Sequence, residues 1–167
     1  MKKDVDVIII GGGLAGLTSA IHLTKFGFKI ILIEKNEYPR HKVCGEYISN
    51  EVLPYFKGLG IEISDLKPSI ITKIAFSTSA GTMISSDLPL GGFGISRYEL
   101  DYYLSQKAIQ KGCQIIQDTV IDIQFIEDEF IISTTNNLVI KTKIAIGAYG
   151  KRSNIDQKLN RNFILKK

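Results

Sequence analysis

The chain has few of the residues that build metal centres and disulfide frameworks. Its 167 residues include two cysteines, Cys44 and Cys113, two histidines and no tryptophan. The cysteines stand far apart and form no CxxC pair, which argues against a structural zinc site and against a disulfide-stapled domain. The sequence therefore indicates no metal, and this sparing use of cysteine fits a reducing cytoplasm.

The chain also lacks a strong charge of one sign and a long unbroken apolar run. Its formal net charge is +4, and no basic patch interleaved with aromatic residues occurs, which disfavours nucleic acid as a partner. Glycines and then His22, Thr24 and Lys25 interrupt the apolar run near the start, so neither a signal peptide nor a transmembrane segment is expected. The length suits one folded domain or part of a larger one, and the hydrophobic share of 44% is ordinary for a globular protein.

One stretch, residues 5–34, organises the rest of the chain. The β-branched run VDVIII is followed at once by the turn GGGLAG at residues 11–16 and then by a segment with helical periodicity. Gly27 ends that segment, and a second β-branched run leads into Glu34. Strand, glycine turn, helix, strand and acid, in this order, are typical of the βαβ unit that binds a dinucleotide.

Each glycine and the acid have a physical role in such a unit. Gly11 allows the tight turn, Gly13 lets a pyrophosphate approach the backbone, and Gly16 lets the helix lie close to the strands. The helix N-terminus offers free N–H groups to the phosphates. Glu34 follows the glycines by roughly twenty residues, where a carboxylate accepts hydrogen bonds from the adenosine ribose and disfavours NADP. The alternative is a glycine-rich turn in some other α/β protein.

The middle of the chain is predicted to leave this unit and return to it. A helix is expected from about Ser49 to Gly58, and residues 70–77 and 82–85 are predicted to pair as strands. Residues 91–94, which read GGFG, are interpreted as a flexible link. Ser96 and Glu99 form a capping box for a helix whose apolar side includes Leu100, Tyr103, Leu104, Ala108 and Ile109.

The last third of the chain is rich in strand signals. A strand is predicted at residues 113–117, an antiparallel meander at residues 120–142 and a buried strand at residues 143–146. The tail after Lys151 is polar, with a short apolar end at residues 163–165. The prediction is a single α/β domain over residues 1–167, with a Rossmann-like parallel sheet and an antiparallel β-meander.

These segments together resemble the geranylgeranyl reductase family of FAD-dependent oxidoreductases, which is related to aromatic-hydroxylase-type flavin monooxygenases. The resemblance covers nearly the whole chain, and its most specific piece is the PRxKxCGE pattern. The pieces that carry it, in family order, are the GGGLAG turn, Glu34, PRHKVCGE at residues 39–46, ISRYELD at residues 95–101 and GAYG at residues 147–150.

The resemblance implies FAD as the cofactor, with NAD(P)H as the electron donor, and it assigns individual residues to FAD. Ala15 matches a pyrophosphate contact, Glu34 matches the acid on the ribose, and Val120 matches a strand start whose backbone meets the adenine. Arg97 matches an arginine with which family members contact FAD. The segment that runs beside the flavin is matched by Cys44, Gly45 and Tyr47.

Ordinary structural roles stand beside these assignments. Cys44 could simply be packed at a helix start, and Arg97 could form a salt bridge with Glu99 or Asp101 instead of meeting FAD. Glu46 could be a surface acid. No residue is assigned as a catalytic acid or base.

The chain departs from the family in two respects. Tyr149 stands where relatives usually carry Asp, and family members run to about twice this length. The resemblance therefore implies a truncated chain, either a fragment or one half of a split protein that a second chain completes. The part not present would hold the substrate-binding sheet and a second flavin motif.

Three functions remain open at this stage. The first is the N-terminal FAD-binding portion of an oxidoreductase that reduces an isoprenoid-type double bond or, as a monooxygenase, activates oxygen. Such a chain is too short to be active alone, and it would be peripheral at a membrane if its substrate were a lipid. The second is a non-catalytic nucleotide-binding fragment. The third, an NAD-linked dehydrogenase, is disfavoured by the PRxKxCGE segment and Arg97.

Overall fold

The computed structural model describes residues 5–151 and 153–159, so the predicted apolar end at residues 163–165 lies outside the described residues. In chain order the elements are β1 (Val7–Ile10), α1 (Leu14–Lys25), β2 (Ile30–Glu34), β3 (Tyr47–Ser49), α2 (Leu53–Gly58), β4 (Ser69–Ser77), β5 (Met83–Gly94), α3 (Arg97–Gln110), β6 (Gln114–Gln117), β7 (Val120–Ile126), β8 (Glu129–Thr134), β9 (Val139–Thr142), β10 (Ile144–Gly147) and α4 (Ile155–Lys158). The chain divides into two compact units. The first comprises residues 1–38 and 103–167, and the second is the inserted stretch at residues 39–102.

The first unit is built on a four-stranded parallel sheet in the order β10-β1-β2-β6. Val7 to Ile10 pair in register with Ile30 to Ile33, and Gly11 donates its N–H to the carbonyl of Ile33 at 2.8 Å. All residues of β1 and β2 are buried, as expected for parallel strands covered on both faces. The predicted strand, turn, helix and strand of residues 5–34 are confirmed.

Two different layers cover this sheet. One face meets the meander β7-β8-β9, through a cluster in which Ile8 and Ile33 lie with Ile132 and Ile140. Each isoleucine buried there contributes roughly 1.5–3 kcal/mol. α1 packs against β1 and β2 and is absent from that cluster, so it covers the other face, burying Leu17 and Ile21. The α/β fold with a parallel sheet and an antiparallel meander is therefore as predicted.

The second unit is a three-stranded antiparallel sheet in the order β3-β5-β4. The flexible link predicted at residues 91–94 is wrong, because Gly92, Phe93 and Gly94 form the end of β5 and pair with both neighbouring strands. Packing explains why position 92 is glycine, since a Cβ there would collide with the ring of Tyr47. Glycine here permits close approach of a side chain to a strand and does not mark a mobile segment.

Burial along α3 follows the helical period but includes polar residues. Leu100, Leu104 and Ala108 are buried as predicted, and the Ser96 hydroxyl accepts a hydrogen bond from the N–H of Glu99 at 3.2 Å. Ile109 is 50% exposed, so its assignment to the apolar side was wrong. Asp101 and Ser105 take the remaining positions on the buried stripe.

Strand β10 lies at one edge of the parallel sheet in the described part of the chain. Ile144 is 51% exposed, so the prediction of a buried strand here was wrong for that residue. The residues of β10 are apolar as the sequence indicated, but an edge strand is covered by a neighbouring strand on one side only, so part of it stays exposed. Exposed apolar side chains also lie on the β4–β5 hairpin, among them Phe76 and Ile84. Within residues 5–151 and 153–159, no helix has the length and apolar character needed to cross a membrane.

Candidate functional site

Close contacts explain the glycines at both ends of the GGGLAG segment. Gly11 has a φ of +105°, and a Cβ there would collide with the backbone oxygen of Ala148, which follows β10. A Cβ on Gly16 would collide with the carbonyl oxygen of Gly11. The tight turn and the close approach of the helix, both expected from the sequence, are therefore present.

The middle glycine of the turn is held by one side chain at the end of β2 and one in the segment that follows it. The N–H of Gly12 donates to Glu34 Oε2 at 2.6 Å, and the phenol of Tyr38 donates to the carbonyl oxygen of Gly12 at 2.5 Å. Glu34 Oε1 accepts from the backbone N–H and the side-chain amide of Asn36, at 3.0 Å and 2.8 Å. Glu34 is buried, so its carboxylate is fixed at the end of β2.

The N-terminus of α1 is open to an anion. Gly13 is the N-cap residue, and no side chain accepts a capping hydrogen bond at this end of the helix. The first turn holds no acidic residue. The N–H groups of Leu14, Ala15 and Gly16 have no partner within the helix, as in the first turn of any α-helix. Together with the helix dipole, these donors form a binding site for phosphate groups.

A cavity of about 340 Å³ adjoins this turn within the first unit. It brings together three residues that the sequence assigned to the cofactor, Gly11, Glu34 and Val120. Its volume lies in the range of small-ligand sites, and its position at the carboxyl ends of parallel strands is where α/β proteins bind nucleotides. The other lining residues include Asp118, Thr119, Ile121, Tyr149, Ile155 and Lys158.

Sequence reasoning missed several of these lining residues. Asp118 directly follows β6, so its place at the carboxyl edge of the sheet was available as a signal. Hydrogen bonds from Thr134 and Thr135 lower the pKa of Asp118, and the Thr135 hydroxyl donates to Asp118 Oδ1 at 2.8 Å. Tyr149, the departure from the family pattern, donates its phenol to Asp156 at 2.6 Å. No sequence signal pointed to Tyr38.

The remaining assigned residues lie in the second unit. Cys44 is exposed, and a Cβ built on Gly45 would meet no atom within 4 Å. The suggestion that Cys44 is packed at a helix start is wrong, because residues 41–46 form an exposed irregular segment before β3. Tyr47 is 44% exposed, and its hydroxyl lies 3.3 Å from the carbonyl oxygen of Gly91. Their contacts with FAD stay predictions.

Arg97 forms the salt bridge that the sequence offered as its alternative role. Its Nε and Nη2 donate to the two carboxylate oxygens of Asp101, each at 2.7 Å. Asp101 is completely buried and Arg97 is 9% exposed. These hydrogen bonds and the charge of Asp101 raise the pKa of Arg97. Any role of Arg97 toward FAD must therefore be additional to this bidentate pair.

Cys113 is buried, in contrast to the exposed Cys44. Burial raises the pKa of the Cys113 thiol to about 11. The unfolded thiol loses its proton near pH 9.0, whereas the folded one keeps it, so the free energy of unfolding falls as pH rises between these two values. The expected loss is about 1.4 kcal/mol per pH unit. Urea unfolding at pH 8 and pH 10.5 measures it, and Cys113→Ala should lack this component. An equal pH dependence in both proteins would contradict the assignment.

These features define a nucleotide-binding protein of the Rossmann class, with an uncapped helix N-terminus, a fixed acid at the end of β2 and an adjoining cavity. A family model described as FAD binding domain matches residues 4–164. The chain therefore belongs to the FAD-binding domain family, and FAD is its cofactor. The residues of the turn and cavity fit the adenosine and phosphate part of FAD in donor type and in volume.

Curated relatives confirm the resemblance to geranylgeranyl reductases. Digeranylgeranylglycerophospholipid reductase 1 of Methanosphaera stadtmanae is 32% identical over 166 residues, which cover 94% of this chain and 40% of the relative. The digeranylgeranylglycerophospholipid reductase of Methanocaldococcus jannaschii is 30% identical, over 90% of this chain and 39% of the relative. The chain thus spans about 40% of the length of these relatives.

Solved structures of similar shape confirm the predicted fold. A halogenase PltM in complex with phloroglucinol and FAD superposes with a TM-score of 0.80 at 21% identity, over 95% of this chain and 37% of that one. The p-nitrophenol 4-monooxygenase PnpA of Pseudomonas putida DLL-E4 gives a TM-score of 0.83 at 15% identity, over 95% and 44%. At such identities the likeness concerns the fold alone.

Proposed function

We propose that this chain is the FAD-binding portion of an oxidoreductase of the geranylgeranyl reductase kind. The observation that carries the proposal is the convergence of Gly11, Glu34 and Val120 on one cavity beside the uncapped N-terminus of α1. In this proposal the N–H groups of the first helical turn bind the pyrophosphate. Glu34 accepts from the ribose, and the backbone at Val120 meets the adenine.

The reaction is proposed from the relatives. Those with the similarity described above are reductases of a lipid that carries geranylgeranyl chains, which favours reduction of an isoprenoid-type double bond over oxygenation. The bound flavin would supply the hydride chemistry, with NAD(P)H as the electron donor. The protein would act in the cytoplasm, at the membrane surface if its substrate is a lipid. Cys44, Gly45, Tyr47 and Arg97 are proposed to contact FAD.

A second candidate is a nucleotide-binding fragment without catalytic activity of its own. The observation that favours it is the share of about 40% that the chain covers in its curated relatives. In that case a second chain would complete the fold, or the protein would hold only the ADP half of FAD.

The visible absorption spectrum of the purified chain, before and after adding FAD, separates the two candidates. Flavin absorption that survives gel filtration is the result expected of the FAD-binding portion of an oxidoreductase. A colourless protein that binds ADP but not FAD would instead identify the fragment. Absence of binding to either nucleotide would overturn both proposals.

Glu34→Ala tests the adenosine part of the site. The substitution removes a charged acceptor, so ADP binding should weaken by roughly 1–3 kcal/mol in isothermal titration. It also releases the N–H groups of Gly12 and Asn36, so the melting temperature without ligand should fall. Glu37→Ala, at an exposed acid three residues further on, is the matched control and should change neither value. Unchanged ADP affinity in Glu34→Ala would remove Glu34 from the site.

A further inference from the structure

Two successive peptide groups of the glycine turn are held by side chains. The peptide that joins Gly11 to Gly12 is held through the Gly12 N–H, which donates to Glu34. The next peptide, which joins Gly12 to Gly13, is held through the Gly12 carbonyl oxygen, which accepts from the Tyr38 phenol at 2.5 Å. The contact is close, because a Cβ on Gly12 would collide with the Tyr38 oxygen.

The second of these bonds sets the direction of a different group, the N–H of Gly13. The Gly12 carbonyl and the Gly13 N–H belong to one planar trans peptide, so they point in opposite directions. When Tyr38 holds the carbonyl oxygen on its own side, the Gly13 N–H must point away from Tyr38. That N–H immediately precedes the free donors of the first turn of α1.

Such a restraint matters most in this part of the chain. Gly11, Gly12 and Gly13 are consecutive, and glycine has more backbone freedom than any other residue. A turn of three glycines without side-chain restraints would adopt many orientations of its peptide groups. Ordering them when a ligand binds would cost affinity, and ordering them beforehand avoids that cost.

We propose that Tyr38 is a positioning residue, which orients the Gly12–Gly13 peptide so that the Gly13 N–H can donate to the pyrophosphate of the cofactor. The proposal rests on the proposed function, because it assigns the phosphate groups of FAD to this turn. Tyr38 itself need not touch the cofactor. Its effect on binding is therefore specific to ligands that carry phosphate groups, and adenosine lacks them.

The test compares Tyr38→Phe with the unaltered full chain, using ADP and adenosine as probes. Phenylalanine keeps the ring and removes the hydroxyl, so the Gly12 carbonyl loses this donor. We expect ADP affinity to fall roughly three- to tenfold, as for loss of one hydrogen bond, with no change in adenosine affinity. The Gly13 amide in a ¹H–¹⁵N spectrum of the ligand-free chain should also shift. Tyr55→Phe, at a tyrosine of the second unit that is 40% exposed, is the control.

Each other outcome decides against the proposal. If the affinities for ADP and adenosine fall together with the melting temperature, Tyr38 only stabilises the fold. If neither affinity changes and the Gly13 amide does not move, Tyr38 does not orient the turn. If the unaltered chain binds neither probe, the proposed function fails first and this proposal fails with it.

Discussion

Valine in place of Gly13 is expected to remove all measurable FAD binding and to leave the chain folded. Gly13 has a φ of −83° and a ψ of −172°, an extended conformation that any residue can adopt, so the backbone conformation does not require glycine here. A branched side chain at the N-cap would instead occupy the space through which a pyrophosphate reaches the helix N-terminus. Replacing a favourable N-cap residue lowers the free energy of unfolding by only about 1 kcal/mol. FAD absorbance after gel filtration, together with a thermal melt of the ligand-free chain, measures both effects.

Gly11→Ala provides the contrast to Gly13→Val. Alanine at position 11 must adopt a φ of +105° and its Cβ collides with the backbone after β10, so the ligand-free chain itself should be destabilised. The two glycines therefore separate a role in folding from a role in binding. A Gly13→Val protein that still elutes with FAD would show that the whole turn serves only the fold.

Arg97→Ala is expected to destabilise the ligand-free chain by about 3 kcal/mol. The reason is Asp101, which is completely buried and receives two hydrogen bonds from Arg97. Removing the arginine leaves a buried charge without its counterion, and that is costlier than removing both members of the pair. Urea unfolding without cofactor gives this value directly.

The double variant Arg97→Met with Asp101→Leu separates stability from cofactor binding. Two apolar residues of similar size should restore most of the lost stability, since no unpaired charge remains. If Arg97 also contacts FAD, the affinity for FAD should stay as low as in Arg97→Ala. Recovery of FAD affinity along with stability would show that the salt bridge is the whole role of Arg97.

Local sequence patterns determined most of the architecture. The β-branched runs at residues 5–10 and 30–33 predicted the two strands of a βαβ unit, and Val7 to Ile10 of β1 pair in register with Ile30 to Ile33 of β2. Glycines at the turn and an acid at the end of the second strand predicted the nucleotide edge, where Gly11 and Glu34 line one cavity. The predicted strands, turn and helix held because strand propensity, tight turns and helix termini depend mainly on residues close together in the sequence.

Tertiary contacts decided the rest. Glycine is needed at position 92 because the ring of Tyr47 packs directly against it, and the sequence does not reveal this contact. Ile144 is exposed because β10 lies at a sheet edge. Tyr38 and Gly12 are 26 residues apart, so no local pattern joins the phenol to the glycine turn.

The sequence by itself thus determined the βαβ unit, its cofactor class and the family. Only the tertiary structure decided which partners hold the site residues: Asp101 for Arg97, Asn36 and Gly12 for Glu34, and Tyr38 for Gly12. The physical reason is that a side chain's hydrogen-bond partner depends on distance in space, and the fold sets that distance after the backbone pattern has been chosen.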